Sequence, residues 1–229
     1  DTQQISIFGK PVWSEQTLIV NGREIPAKQN GWQLLHTNAS LPMTLSSSMP
    51  WQIGFINIER PGRGVTVSAM GINGAQLSQW SKWRPGMWED LAQTKADLII
   101  LAYGTNEAFS GNLDISSTER TWRNYIRQIK NTLPNAGILI LGAPESLKTA
   151  YGSCGNRPVL LSEVQQMQQR VARDEKIMFW SWQDAMGGAC SMKNWMAQGL
   201  AAKDGVHFSA QGYETAADKL ADSLIRFAQ

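Results

Sequence analysis

The chain has 229 residues, enough for one large domain or one and a half smaller ones. Charged residues make up 17% and the net charge is +2, which leaves no electrostatic footprint for a nucleic-acid or polyphosphate partner. No apolar run reaches the ~18 residues of a membrane-spanning helix, and no signal peptide is recognisable; opening on Asp1-Thr2-Gln3-Gln4, the chain reads as a processed or trimmed product.

Up to Pro61-Gly62 the chain reads as short β pieces between turns. Ile5-Ser6-Ile7-Phe8 ends at Gly9, and Thr17-Leu18-Ile19-Val20 ends at Asn21-Gly22, a hairpin signal. Trp32-Gln33-Leu34-Leu35-His36 and Gly54-Phe55-Ile56-Asn57-Ile58 read as further strands. Residues 1–60 are too short for a complete sandwich and read as part of a β-module.

From Pro61 the pattern alternates. Val65-Thr66-Val67-Ser68 reads as a strand, followed by a glycine turn and a helix through about Leu91. Asp97-Leu98-Ile99-Ile100-Leu101 is a continuous apolar run, expected of a strand buried on both faces. A polar helix is expected at 116–132, with Glu119, Arg123 and Arg127 along one side. Gly137–Leu141 is the next strand, Leu161–Asp174 a helix and Ile177–Trp180 a strand. Ser209 caps a final amphipathic helix to about Phe227. This alternation predicts an α/β domain over 61–229, a three-layer α/β/α stack on a parallel sheet with right-handed connections.

Ligands in such sheets gather at the carboxyl ends of the strands. Three stretches fall there: Gly71-Ile72-Asn73-Gly74, Tyr103-Gly104-Thr105-Asn106-Glu107 and Asp204-Gly205-Val206-His207. Each has a plain structural reading, as a glycine turn, an asparagine turn or a surface loop. The chemical reading is that Asp204 orients His207, one of only two histidines, as the base of a serine-type hydrolase. His36 reads as a structural residue of the β-module, and Glu107 as a solvated loop acid. The two histidines have no neighbouring cysteines or acid clusters, so no metal site is expected.

Cys154 and Cys190 both lie in glycine-rich loops without metal-ligand spacing. A disulfide, and with it an oxidising compartment, is the favoured reading; two free thiols in a cytosolic protein is the alternative. Ten tryptophans is a high load. Most are expected to fill core volume, although such faces also stack on sugar rings.

The three stretches together resemble the SGNH, or GDSL-like, hydrolases over roughly residues 62–229. Gly74 matches that family's second block, Gly104-x-Asn106 its third and Asp204-x-x-His207 its fifth. Val67–Leu77, Tyr103–Phe109 and Gly142-Ala143-Pro144-Glu145-Ser146 are similar to periplasmic peptidoglycan O-acetylesterases of Gram-negative bacteria. In those enzymes a β-sandwich resembling a carbohydrate-binding module is inserted into the hydrolase domain, and residues 1–60 are similar to its returning part. The resemblance implies an oxyanion hole of Gly74 and Asn106, no cofactor, O-acetylated glycan strands as substrate, and a periplasmic or exported location.

One family feature is missing. The first block, Gly-Asp-Ser, carries the nucleophile, and neither it nor Gly-x-Ser-x-Gly occurs here. Ser46-Ser47-Ser48 lies in a polar loop, and Ser68 lies ahead of the glycine turn. The expectation is that an N-terminal segment or companion chain supplies the serine. The rival readings are an O-acetyltransferase with the same triad and a sugar-binding pseudo-hydrolase without catalysis.

Overall fold

The computed structural model describes residues 2–13, 16–83 and 85–227. They form two compact units, divided between Met70 and Gly71.

The first unit is all β: β1 (Thr2–Pro11), β2 (Thr17–Val20), β3 (Arg23–Pro26), β4 (Gln33–Ser40), β5 (Leu45–Ser46) and β6 (Trp51–Glu59). Two antiparallel sheets result, ordered β4-β1-β6 and β3-β2-β5. Side chains alternate across a strand, so Ile5 and Ile7 of β1 point the same way as Leu35 and Ala39 of β4. They meet Leu18, Val20 and Ile25 of the other sheet in one core. Asn21 and Gly22 take φ of 47° and 79°, the left-handed pair that a tight hairpin between β2 and β3 requires. The strand expectations for this half hold. On β6, Ile56 and Ile58 sit opposite Ile7 and Ile5 but remain 39% and 43% exposed; the β3-β2-β5 sheet does not cover them.

The expected strand at Val65–Ser68 does not form. These residues have no strand partner among the described residues, and Val65 and Val67 are 91% and 85% exposed. A strand's backbone groups need a neighbour to pair with, and sequence alternation alone cannot provide one.

The second unit carries a parallel sheet, β7 (Leu98–Leu101), β8 (Gly137–Leu141) and β9 (Met178–Trp180), ordered β7-β8-β9. The helix expected through Leu91 is broken in two, a 3-10 helix (Leu77–Lys82) and α1 (Met87–Thr94). Proline at 85 and Gly86 at φ 93° interrupt it. After β7 come α2 (Thr105–Phe109) and α3 (Ile115–Thr132), after β8 comes α4 (Leu161–Asp174), and after β9 come α5 (Trp182–Met186), α6 (Met192–Ala197) and α7 (Ala210–Phe227). Asp114 starts α3 by accepting from the Ser116 and Ser117 amides. The apolar stripe of α3 (Trp122, Ile126, Ile129) packs with Met167 and Val171 of α4 and with Ile138 and Ile140 of β8. On the outer side, Glu119 bridges Arg123 and Arg170, tying α3 to α4.

β7 is less buried than its apolar sequence implies, with Ile100 at 42% exposure. Among the described residues it has a strand on one side only. A run of Leu and Ile predicts burial but cannot say which strand is an edge.

Candidate active site

The carboxyl end of β7 leads into Tyr103-Gly104-Thr105-Asn106-Glu107. Gly104 has φ 122°, and a Cβ there would lie 2.7 Å from Gln168 Nε2 and 2.9 Å from the Ala143 methyl. Only glycine fits this turn. Gln168, fully buried on α4, accepts from the Ala143 amide (2.8 Å) and donates to the Tyr103 carbonyl (2.7 Å). It thereby fixes the ends of β7 and β8 against each other.

Asn106 Nδ2 donates to the Ala75 carbonyl at 2.9 Å, and Gln76 Nε2 donates to the Asn106 carbonyl at 3.2 Å. The structure thus brings together the Gly74 turn and Asn106. Gly74 has φ 77° with open space where a Cβ would stand, and among the described residues its N–H has no hydrogen-bond partner. Asn106 has a second amide proton beyond the one given to Ala75.

Glu107 is not the solvated acid the sequence suggests. It is buried, and its carboxylate accepts from the Leu77 amide and the Gly104 amide, both at 2.9 Å. It clamps the residues after Gly74 to the turn that carries Asn106. Burial raises its pKa; the backbone donors oppose that shift without cancelling it. A raised carboxyl pKa contributes stability below the unfolded-state value that is lost as pH rises through the folded-state value. Glu107→Gln should therefore flatten the pH dependence of urea midpoints over that window, relative to the parent protein.

Much later in the chain, Asp204 Oδ2 lies 2.7 Å from His207 Nδ1. Asp204 Oδ1 accepts from the backbone amides of Val206 (2.8 Å) and His207 (3.0 Å). The three-residue spacing lets one carboxylate hold both the ring and the main chain of its partner. The hydrogen bond to the imidazole, then those backbone donors, pull the Asp204 pKa down to about 2. The loop is anchored by Phe208, buried and stacked on Trp182 with ring centroids 5.3 Å apart. Ser209 Oγ then accepts from the Gly212 amide at the start of α7, as its capping pattern predicts.

Both halves of the site border the segment that follows β8. Gly104 abuts Ala143, while the Leu147 amide donates to the Gly205 carbonyl at 2.8 Å. Gly205, at φ 70°, lies against the Leu147 side chain. Asn106 and His207 therefore sit on turns that flank one connecting segment at the carboxyl end of the sheet. Among the described residues no hydroxyl is hydrogen-bonded to His207 Nε2.

That connecting segment is fastened by charge. Glu145, fully buried, pairs with Arg157 (2.6 Å) and accepts from Gln183 Nε2 (2.6 Å) and the Cys190 amide (3.3 Å). Cys154 and Cys190 are disulfide-bonded, closing the same region. In the chain-entropy model a bridge over this separation stabilises by about 4 kcal/mol. Glu145→Ala would strand Arg157 and two further donors, and should cost about 3–5 kcal/mol in a denaturation titration. A polar cleft of about 270 Å³ opens nearby, lined by Ala143, Arg157, Gln165 and Gln183 among others, and includes none of the sequence-predicted site residues.

The Asn106 turn follows β7 as expected, whereas the Asp204–His207 loop lies between α6 and α7 and not at a strand end as the sequence suggests; with the parallel sheet they make an α/β architecture. A family model described as GDSL-like lipase/acylhydrolase matches residues 52–215. Among solved structures, a peptidoglycan O-acetylesterase is 64% identical with a TM-score of 0.94. The match covers 99% of this chain and 65% of that one, so the chain spans just under two thirds of that protein's length. An acetyl xylan esterase (16% identity, TM-score 0.53, 67% and 78% covered) and a GDSL-like lipase from Bacteroides thetaiotaomicron VPI-5482 (20%, 0.51, 70% and 75%) share the fold. No curated protein sequence matches. The chain belongs to the GDSL-like lipase/acylhydrolase family and has the SGNH hydrolase fold.

Proposed function

We propose that this protein is a serine carbohydrate esterase that removes O-acetyl groups from N-acetylmuramic acid in peptidoglycan strands. The observation that carries the reading is the Asp204–His207 pair, 2.7 Å apart, flanking the same segment as the turn that carries Asn106, to which the Gly74 turn is hydrogen-bonded through Ala75. The 64% identity to a peptidoglycan O-acetylesterase supports the substrate class.

In this reading the nucleophilic serine lies on polypeptide outside residues 1–229, an N-terminal segment or a companion chain. The one-sided pairing of β7 and the uncovered Ile100 favour a further strand at that edge. The serine oxygen attacks the acetyl carbonyl carbon while His207 Nε2 takes its proton. Asp204 holds the Nδ1–H tautomer and stabilises the imidazolium. The oxyanion accepts from the Gly74 N–H and from the Asn106 amide proton not used by Ala75. Collapse breaks the bond to the sugar oxygen, which takes the proton from His207. Water then attacks the acetyl-serine, with His207 again as base, and releases acetate and the free enzyme.

The two sheets sharing one core suit a carbohydrate-binding-module-like sandwich for the first part of the chain. The disulfide suits a periplasmic or exported protein. The test is release of acetate from O-acetylated peptidoglycan by the full-length protein, with and without a glycan acceptor. Acetate in water supports the esterase. Acetyl groups moved only to the acceptor would make it a transferase, and no turnover of either kind would leave a sugar binder.

A further inference from the structure

The segment after β8 closes into a small hairpin. The Lys148 and Asn156 amides donate to the Asn156 and Thr149 carbonyls at 2.7 and 2.8 Å, pairing Thr149 with Asn156. Lys193 Nζ donates to the Gly152 carbonyl at its tip. Cys154 is bonded to Cys190, and Arg157 to the buried Glu145. At the tip stands Tyr151, 91% exposed. The base of the same hairpin, Leu147, is hydrogen-bonded to Gly205 of the loop that holds His207.

The bracing holds the backbone beneath an aromatic face that stays open to solvent. Tyrosine presents a large flat face with two side-chain torsions, so it orders a ligand at small entropic cost. A pyranose offers an apolar C–H face that matches the electron-rich face of the ring. The scaffold removes the further cost of ordering the loop itself.

We propose that Tyr151 is a substrate-contacting residue, a stacking platform for a sugar ring of the glycan strand next to the residue being deacetylated. The proposal rests on the esterase reading for its substrate, but not for its test. Tyr151 lies outside the acid–base pair and the oxyanion donors, so its loss should affect long substrates alone. In the full-length protein, Tyr151→Ala should raise KM for O-acetylated glycan strands about 3–10-fold. Its kcat, and its turnover of p-nitrophenyl acetate, should stay at the parent level. Tyr151→Trp should restore the parent KM. An unchanged glycan KM in Tyr151→Ala, or an equal loss on both substrates, overturns the proposal.

A binding measurement separates this from the catalytic reading. Peptidoglycan-derived oligosaccharides would be titrated calorimetrically into His207→Ala protein, with and without Tyr151→Ala. Weaker binding in the double variant by a similar factor supports the platform even if no acetate is ever released. Equal binding in the two removes it.

Discussion

Replacing His207 by alanine should lower acetate release by the full-length protein about 10²–10⁴-fold, the usual worth of a positioned general base. The expected loss follows from the 2.7 Å contact with Asp204; the imidazole is largely exposed and belongs to no core, so its removal should leave the fold intact. Asp204, with its pKa near 2, stays ionised far into the acid range. A decline of activity toward mildly acidic pH therefore does not come from protonation of the Asp204 carboxylate. The measurement is acetate release across pH for parent and His207→Ala proteins, with circular dichroism as the folding control. Parent-level activity in the variant would remove His207 from the chemistry.

The second large effect is expected at Asn106. Asn106→Ala should lower kcat about 10²–10³-fold with little change in KM, because the amide proton in question is used only when charge develops on the carbonyl oxygen. The variant also loses the bond to the Ala75 carbonyl, which positions the Gly74 turn. Glu107 still holds that region through the Leu77 and Gly104 amides, so the turn should keep its place. A rise in KM at constant kcat would instead make Asn106 a ground-state contact and remove it from the oxyanion hole.

The Asp204–His207 contact was legible because its geometry is local. Two residues separate Asp204 from His207, and one loop brings them into contact whatever the rest of the chain does. The cysteines were legible as a pair because both sit in glycine-rich loops, and no other thiol competes. Glu107 was not legible. Nothing near it in sequence shows that the Leu77 amide, thirty residues earlier, will reach its carboxylate. A glutamate immediately after a glycine–asparagine turn gives the same local signal whether it faces water or a buried backbone donor. Gln168 is the same case, a polar residue on a polar helix that turns inward to bind two strand ends.

The amino-acid order by itself determined four of the six strands of the first sixty residues, the alternation that makes the parallel sheet, the cap at Ser209 and the contact between Asp204 and His207. Each depends on periodicity or on neighbours a few positions apart. Tertiary structure decided which apolar runs stayed unpaired, as Val65 shows, which strand lost cover on one side, as Ile100 shows, and which acids were buried. Pairing and burial depend on partners distant in sequence, and hydrophobicity signals the need for such a partner without naming it.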